Sequence, residues 1–261
     1  MLHKEADRSL AMPLAPLQFV QRTASLVTLA VMAAGLTSCQ SIAGIQPVSQ
    51  VRVIDVSPDA PALDIYQNSA QSSSAVLYNV GFGTVSSYIA IPAGASTHVA
   101  YVAGTQQQMA TIHGNFAIGK QYTVLAGNVS ASLQMTVLKD QSFPAPSGQV
   151  ALRFLDQATR AGTVDIYLVP PGSALVRASP IDTGLSFSSN TGYINAPSGT
   201  YSIVVLPAGA VPGSAIAPVY TGSQMTYPGG SARTILLIDQ QPVSPSSLQV
   251  VTANDYDSAA N

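Results

Sequence analysis

At 261 residues, 47% hydrophobic and only 8% charged, the chain has room for two domains, each with a sizeable core. A formal net charge of −2, with Lys and Arg scattered rather than clustered, excludes recognition of nucleic acid through bulk charge. The single cysteine, Cys39, excludes an intrachain disulfide.

The first 38 residues read as a targeting segment. Residues 24–36 (ASLVTLAVMAAGL) are uncharged and mostly apolar, follow Arg22, and are short for a bilayer span, as in a secretory signal. Residues 36–39 (LTSC) resemble the lipobox of bacterial lipoproteins. That resemblance implies lipid on the Cys39 thiol, cleavage before it and acylation of the new amino terminus; Gln40 then favours a Gram-negative outer membrane. The competing reading is a free cysteine that ends an ordinary signal peptide or packs in a core helix. Residues 1–21 are longer than a signal needs and carry Glu5 and Asp7, so Met12 is the expected start. Beyond residue 38, seven Lys and Arg face ten Asp, a net charge of −3 with no Glu. Residues 39–50 form a tether.

A first β-rich unit is expected over 51–140. VRVIDV (51–56) has the β-branched content of a strand, SPDAP (57–61) breaks it, and LDIY (63–66) resumes it. Further strands are expected at 75–80, 85–91, 96–103, 108–114, 121–127 and 132–139, with turn signals such as IPAGA and AIGK between them. Short strands at this spacing, without helical period, predict an all-β antiparallel sandwich, immunoglobulin-like or transthyretin-like. Residues 141–149 form a Pro- and Ser-rich linker, a second sandwich is expected over 150–255, and 256–261 are a tail.

The second unit repeats the first. Arg52, Asp55, Asp64, Ile65 and Tyr66 recur 101 positions later as Arg153, Asp156, Asp165, Ile166 and Tyr167. Tyr88 and Ile89 recur 105 positions later as Tyr193 and Ile194, Thr123 recurs 111 later as Thr234, and Asp140 recurs 115 later as Asp255. The offset grows in steps, so insertions fall in loops, notably around PPGSAL (170–175) and AVPGSAIAP (210–218).

The runs VRVIDVSPDAPALDIY, VGFGTVSSYIAIPAG and GKQYTVLAG resemble the bacterial extracytoplasmic family known as domain of unknown function 4397, strongly over 51–140 and more weakly over 150–255. In the second copy QATRAG replaces the Ser-Pro-Asp-Ala-Pro turn, and Arg233 stands where the first has Tyr122. The resemblance implies tandem β-domains in an envelope protein and no activity.

Arg52 with Asp64, and Arg153 with Asp165, are expected to form structural ion pairs between neighbouring strands; a ligand-gripping pair is the other reading. Ser57 and Asp59, in a turn at a domain end, are the candidate ligand turn. Catalysis would need His98 or His113 beside a Ser and an Asp, as in an envelope hydrolase, but no Gly-x-Ser-x-Gly elbow is present. After residue 38, two histidines without a second cysteine give no zinc spacing, and NDYD (254–257) is no calcium loop, so neither metal nor cofactor is expected. The repeated tyrosines Tyr66, Tyr88, Tyr167 and Tyr193 read as packing residues. The chain is thus read as a lipid-anchored, non-catalytic envelope protein that binds a protein or glycan or serves structurally; the alternatives are the hydrolase and a sensor or assembly partner of an envelope complex.

Overall fold

Short β-branched and aromatic runs, punctuated by Pro, Gly and Asn, fold into seventeen strands and two 3-10 turns in a computed structural model that describes residues 46–68, 73–241 and 248–257. The targeting segment, Cys39 and most of the tether lie outside the described residues. The first half contains β1 (Val48–Asp55), β2 (Leu63–Asn68), β3 (Ser73–Val80), β4 (Ile89–Pro92), β5 (Gly94–Val102), β6 (Gln108–Phe116), β7 (Gln121–Gly127) and β8 (Gln134–Lys139). The second contains β9 (Gln149–Asp156), β10 (Val164–Val169), β11 (Pro180–Leu185), β12 (Asn190–Pro197), β13 (Gly199–Pro207), β14 (Tyr220–Thr221), β15 (Met225–Tyr227), β16 (Ala232–Asp239) and β17 (Leu248–Tyr256). Every strand expected in the first half is present, although the run at 85–91 is extended only from Ile89, Val85 making a lone bridge to Ile54.

Each half is a sandwich, and the same plan serves both. The sheets β4-β1-β7-β8 and β3-β2-β5-β6 recur as β12-β9-β16-β17 and β11-β10-β13-β14, with β15 also pairing β13. The ladders are antiparallel except β1 with β7 and β9 with β16, which run parallel. A parallel pair needs a long crossover, and here the whole outer sheet of each half lies between its two members in the chain.

The inner sheets explain a composition that does not alternate. Val51 and Val53 of β1 face the first sandwich core with Leu63, Ile65, Phe116 and Val124, whereas Ile54 points the other way. There it meets Leu125 of its own half and Leu155, Leu236, Ile238 and Ala253 of the other. Strands buried on both faces read as continuous apolar runs, as TVLAG in β7 and TILLI in β16 do. The four sheets therefore form successive layers, with a core in each sandwich and a third apolar cluster between the inner sheets. The halves, expected as sandwiches in tandem, are more than strung together: Pro47–Asn261 is one unit, and even the 141–149 connection is pinned through Ala145, whose N–H donates to the Gly230 carbonyl at 3.1 Å.

A shared layer couples the stabilities of the halves. Heating the protein in a calorimeter should give one transition whose calorimetric and van't Hoff enthalpies agree; two resolved peaks would contradict the packing of Ile54 and Leu125 on Leu155 and Leu236.

Candidate functional site

Beside the shared apolar cluster, the inner sheets bury a charged network. Arg52 and Arg153 are 1% and 3% exposed, and Asp140 and Asp255 are 5% and 4%, so all four charges must be compensated inside the protein. The repeat predicts these residues but not their partners. Arg52 reaches across to the carboxylate of Asp255 and lies 3.7 Å from Asp140, while Arg153 reaches back to Asp140 at 2.6 Å. Each aspartate is completed by its own half: Thr123 and Tyr88 donate to Asp140 Oδ2 at 2.6 and 2.7 Å, and Thr234 and Tyr193 donate to Asp255 Oδ2 at 2.7 and 2.7 Å. Arg52 also donates to Thr123 and to the Asn254 carbonyl, and Arg153 to Thr234 and the Lys139 carbonyl. The guanidinium carbons sit 5.0 and 4.7 Å from the ring centres of Tyr88 and Tyr193. Burial by itself would lower the Arg52 pKa, but Asp255 and Asp140 outweigh it and leave it raised. Burial and the Asp140 charge push the Tyr88 hydroxyl well above its ordinary range. An open groove of about 400 Å³, lined by Arg52, Ser86, Ser87, Tyr88 and Asn254 among others, runs beside this network. Its one cation, Arg52, already spends all three nitrogens on protein partners.

The expected Arg52–Asp64 and Arg153–Asp165 ion pairs are therefore corrected. The arginines lie on faces that meet the other half, whereas Asp64 and Asp165 lie on outer-sheet strands. Asp64 accepts the N–H groups of Asn79 and Gly104 at 2.8 and 2.9 Å, and Asp165 those of Gly184 and Gly209 at 2.9 and 2.8 Å. All four donors have positive φ, between 54° and 76°, so each carboxylate clamps two left-handed corners, one on either side of its strand. Ser57 of the candidate ligand turn is fully buried and donates its N–H to Asp55; Asp59 is exposed and accepts the N–H of Ser130 at 2.7 Å, which ties the turn to the 3-10 turn Ser130–Ser132. The two residues do not converge on a common site.

Asp55 and its counterpart Asp156 close β1 and β9 in the same manner. Each accepts the N–H two residues on, from Ser57 and Ala158, and each leaves its other oxygen buried without a partner. Burial pushes their pKa values up to about 7 and about 6.

The two histidines among the described residues, His98 and His113, sit in different surroundings. His113 is exposed, with Nδ1 2.7 Å from the Thr97 hydroxyl. His98 is fully buried against Phe116, ring centres 4.8 Å apart, and neither ring nitrogen has a hydrogen-bond partner. Its cross-strand neighbour is Gln67, and Ser96 lies two residues along the same strand; the Gln67 amide nitrogen and the Ser96 hydroxyl are also unpartnered. The second half has Leu168, Ile203 and Tyr201 at these register positions, all in or against its core. Among the described residues, no three His, Cys, Asp or Glu side chains cluster as metal ligands do.

On the outer face of β3-β2-β5-β6, Tyr66 packs edge-on against Tyr78 and Tyr101, with ring centres 6.1 and 5.6 Å apart. Tyr78 is 65% exposed. The expectation of Tyr66 as a packing residue holds only in part, because its partners, which the repeat pattern did not single out, open to solvent.

Two outcomes follow. Asp255→Asn should destabilise the fold by about 3–5 kcal/mol by stranding buried Arg52, whereas replacing the pair together, Arg52→Met with Asp255→Leu, should recover most of that loss in denaturant titration. Burial lowers the His98 pKa from 6.5 to about 4, so its share of stability is complete above pH 6.5 and is lost as pH falls from 6.5 to 4. His98→Leu should remove up to about 3 kcal/mol of that acid-side slope, checked by melts of both proteins from pH 4 to 8.

The family model described as "Domain of unknown function (DUF4397)" matches residues 49–167. No curated protein matches the chain. Among solved structures, it is similar to a leucine-rich repeat protein from Bacteroides thetaiotaomicron, at 10% identity over 75% of this chain and 26% of that one, with a TM-score of 0.19. It is also similar to the Bacillus anthracis TIE protein, at 9% identity over 75% and 34%, with a TM-score of 0.25. A third is the family CBM26 module CBMbc of Eubacterium rectale Amy13K, solved with maltoheptaose, at 8% identity over 80% and 98%, with a TM-score of 0.25. The chain thus spans about a quarter and about a third of the first two, and at these scores none of the three bears on its function. The family match, which takes in Arg52, Asp64, Asp140, Arg153 and Asp165, supports assigning residues 49–167 to the DUF4397 family.

Proposed function

We propose that this protein is a non-catalytic binding or structural module of the cell envelope, held to the membrane by lipid on Cys39 and built from two copies of one domain joined as a rigid body. The observation that carries the reading is the use made of the ionisable groups. The buried arginines and Asp140 and Asp255 are consumed by the junction, Asp64 and Asp165 by backbone clamps, and among the described residues neither His98 nor His113 has a serine and a carboxylate in hydrogen-bond contact. The hydrolase reading, a serine nucleophile activated by a histidine that a carboxylate orients, needs such a contact. The anchor rests on residues 24–39, where an apolar run, small residues and the lone cysteine coincide. At about 0.8 kcal/mol per buried CH₂, several acyl chains hold a protein at a bilayer where one does not.

In cells fed an alkynyl fatty acid, the wild-type protein should take up label and sediment with membranes, while Cys39→Ala loses both. Label that survives in Cys39→Ala rules out the anchor. A serine-reactive probe should leave the mature protein unlabelled, and labelling abolished by His98→Ala or His113→Ala would make it a hydrolase.

A further inference from the structure

The two outer faces of this duplicated fold have the same origin and different coverings. In the second half, Tyr167 stands where the first has Tyr66 and is 4% exposed. It is covered by Leu175 and Ala178, from the connection between β10 and β11, and by Ala210, from the connection after β13. These covering residues lie in or beside the insertions PPGSAL and AVPGSAIAP. In the first half the corresponding connections are short, residues 69–72 and 103–107, and the face carries Tyr78 and Tyr101 instead, with Tyr101 at the register position of Leu206.

The chemistry of the open face differs from that of the covered one. Both outer rings stand at right angles to Tyr66, 89° and 90°, which presents ring surface beside ring edge and hydroxyl. The adjoining strand β6 turns Gln108, Thr111 and His113 to the same side, opposite Tyr101, Val99 and Thr97, and all three are exposed. The nearby Asp64 carboxylate is 7% exposed and is turned onto the N–H groups of Asn79 and Gly104 rather than toward a ligand. An aliphatic segment would match the Leu206 version. Tyrosine rings bordered by neutral donors and acceptors match a pyranose, which has a flat C–H surface for the rings and hydroxyls for the amide and imidazole groups. An extended peptide would instead be taken up by backbone pairing at a strand edge.

We propose that the outer face of the first half, at Tyr66, Tyr78 and Tyr101, is a binding site for a neutral carbohydrate, with Gln108, Thr111 and His113 reading its hydroxyls. The site deepens the binding-module reading and rests on it. With no tryptophan in the chain, tyrosine emission is seen without tryptophan background, and the Tyr78→Ala and Tyr101→Ala variants assign any change to this face. The full mature protein would be titrated with maltohexaose, cellohexaose, chitohexaose, xylohexaose and mannohexaose. At least one should change the emission saturably. Tyr78→Ala and Tyr101→Ala should each weaken that sugar about tenfold, or about 1.4 kcal/mol, while Tyr167→Phe leaves it unchanged. Because Tyr78 is 65% exposed, its variant should keep the wild-type melting temperature, so a loss of binding is not a loss of fold. The proposal is overturned if no hexasaccharide binds, or if Tyr78→Ala and Tyr101→Ala both bind as the wild type does. A bound sugar that is cleaved, with new reducing ends, keeps the site and overturns the non-catalytic reading. Failure of every sugar alongside an unlabelled serine-probe assay overturns the site alone.

Discussion

The structure depends on a crossed pair of buried contacts, in which each half supplies the arginine for the other half's aspartate. Neither contact can form unless the inner sheets meet in one orientation. Two buried ion pairs roughly offset their own desolvation, so they give the junction geometry more than net stability. The stability comes from the apolar end of the same interface, where Ile54, Leu125, Leu155 and Leu236 exclude water. Registry and cohesion are thus divided between the two ends of one layer.

Much of the fold was legible because the chain says it twice. The short β-branched runs, the turn residues and the in-register return of Arg52, Asp64 and Tyr66 specified a duplicated sandwich before any contact was known. The stacking of one half on the other was less legible, since it is written as a lack of alternation. In TVLAG and TILLI apolar residues point to both faces of the strand, a sign that both are covered.

The partners of the repeated charges could not be read from spacing. Arg52 and Asp64 lie near each other in sequence and recur together, which made them a plausible pair, yet they belong to different sheets of the first half. Asp140 and Asp255 recur too, at the ends of their copies, but an exchange between copies leaves no mark on a linear repeat. Asp64 is repeated for a different reason: Asn79 and Gly104, like Gly184 and Gly209, take left-handed backbone that an acceptor must hold. The tyrosine face was hidden because only Tyr66 of its three rings has a tyrosine at the repeat position, while the stepwise offsets that marked PPGSAL and AVPGSAIAP as insertions did point to the side of the fold where the halves diverge.

The exchange of charges has one more consequence. A polypeptide with a single copy of this unit would expose an arginine and an aspartate that cannot satisfy each other fully within it, at 3.7 Å for Arg52 and Asp140 here. Docking two such units about a dyad would satisfy all four at once through an isologous contact. The junction therefore has the reciprocal form of an isologous contact, Arg52 with Asp255 and Arg153 with Asp140, carried within one polypeptide, and neither outer sheet supplies any of the four charges.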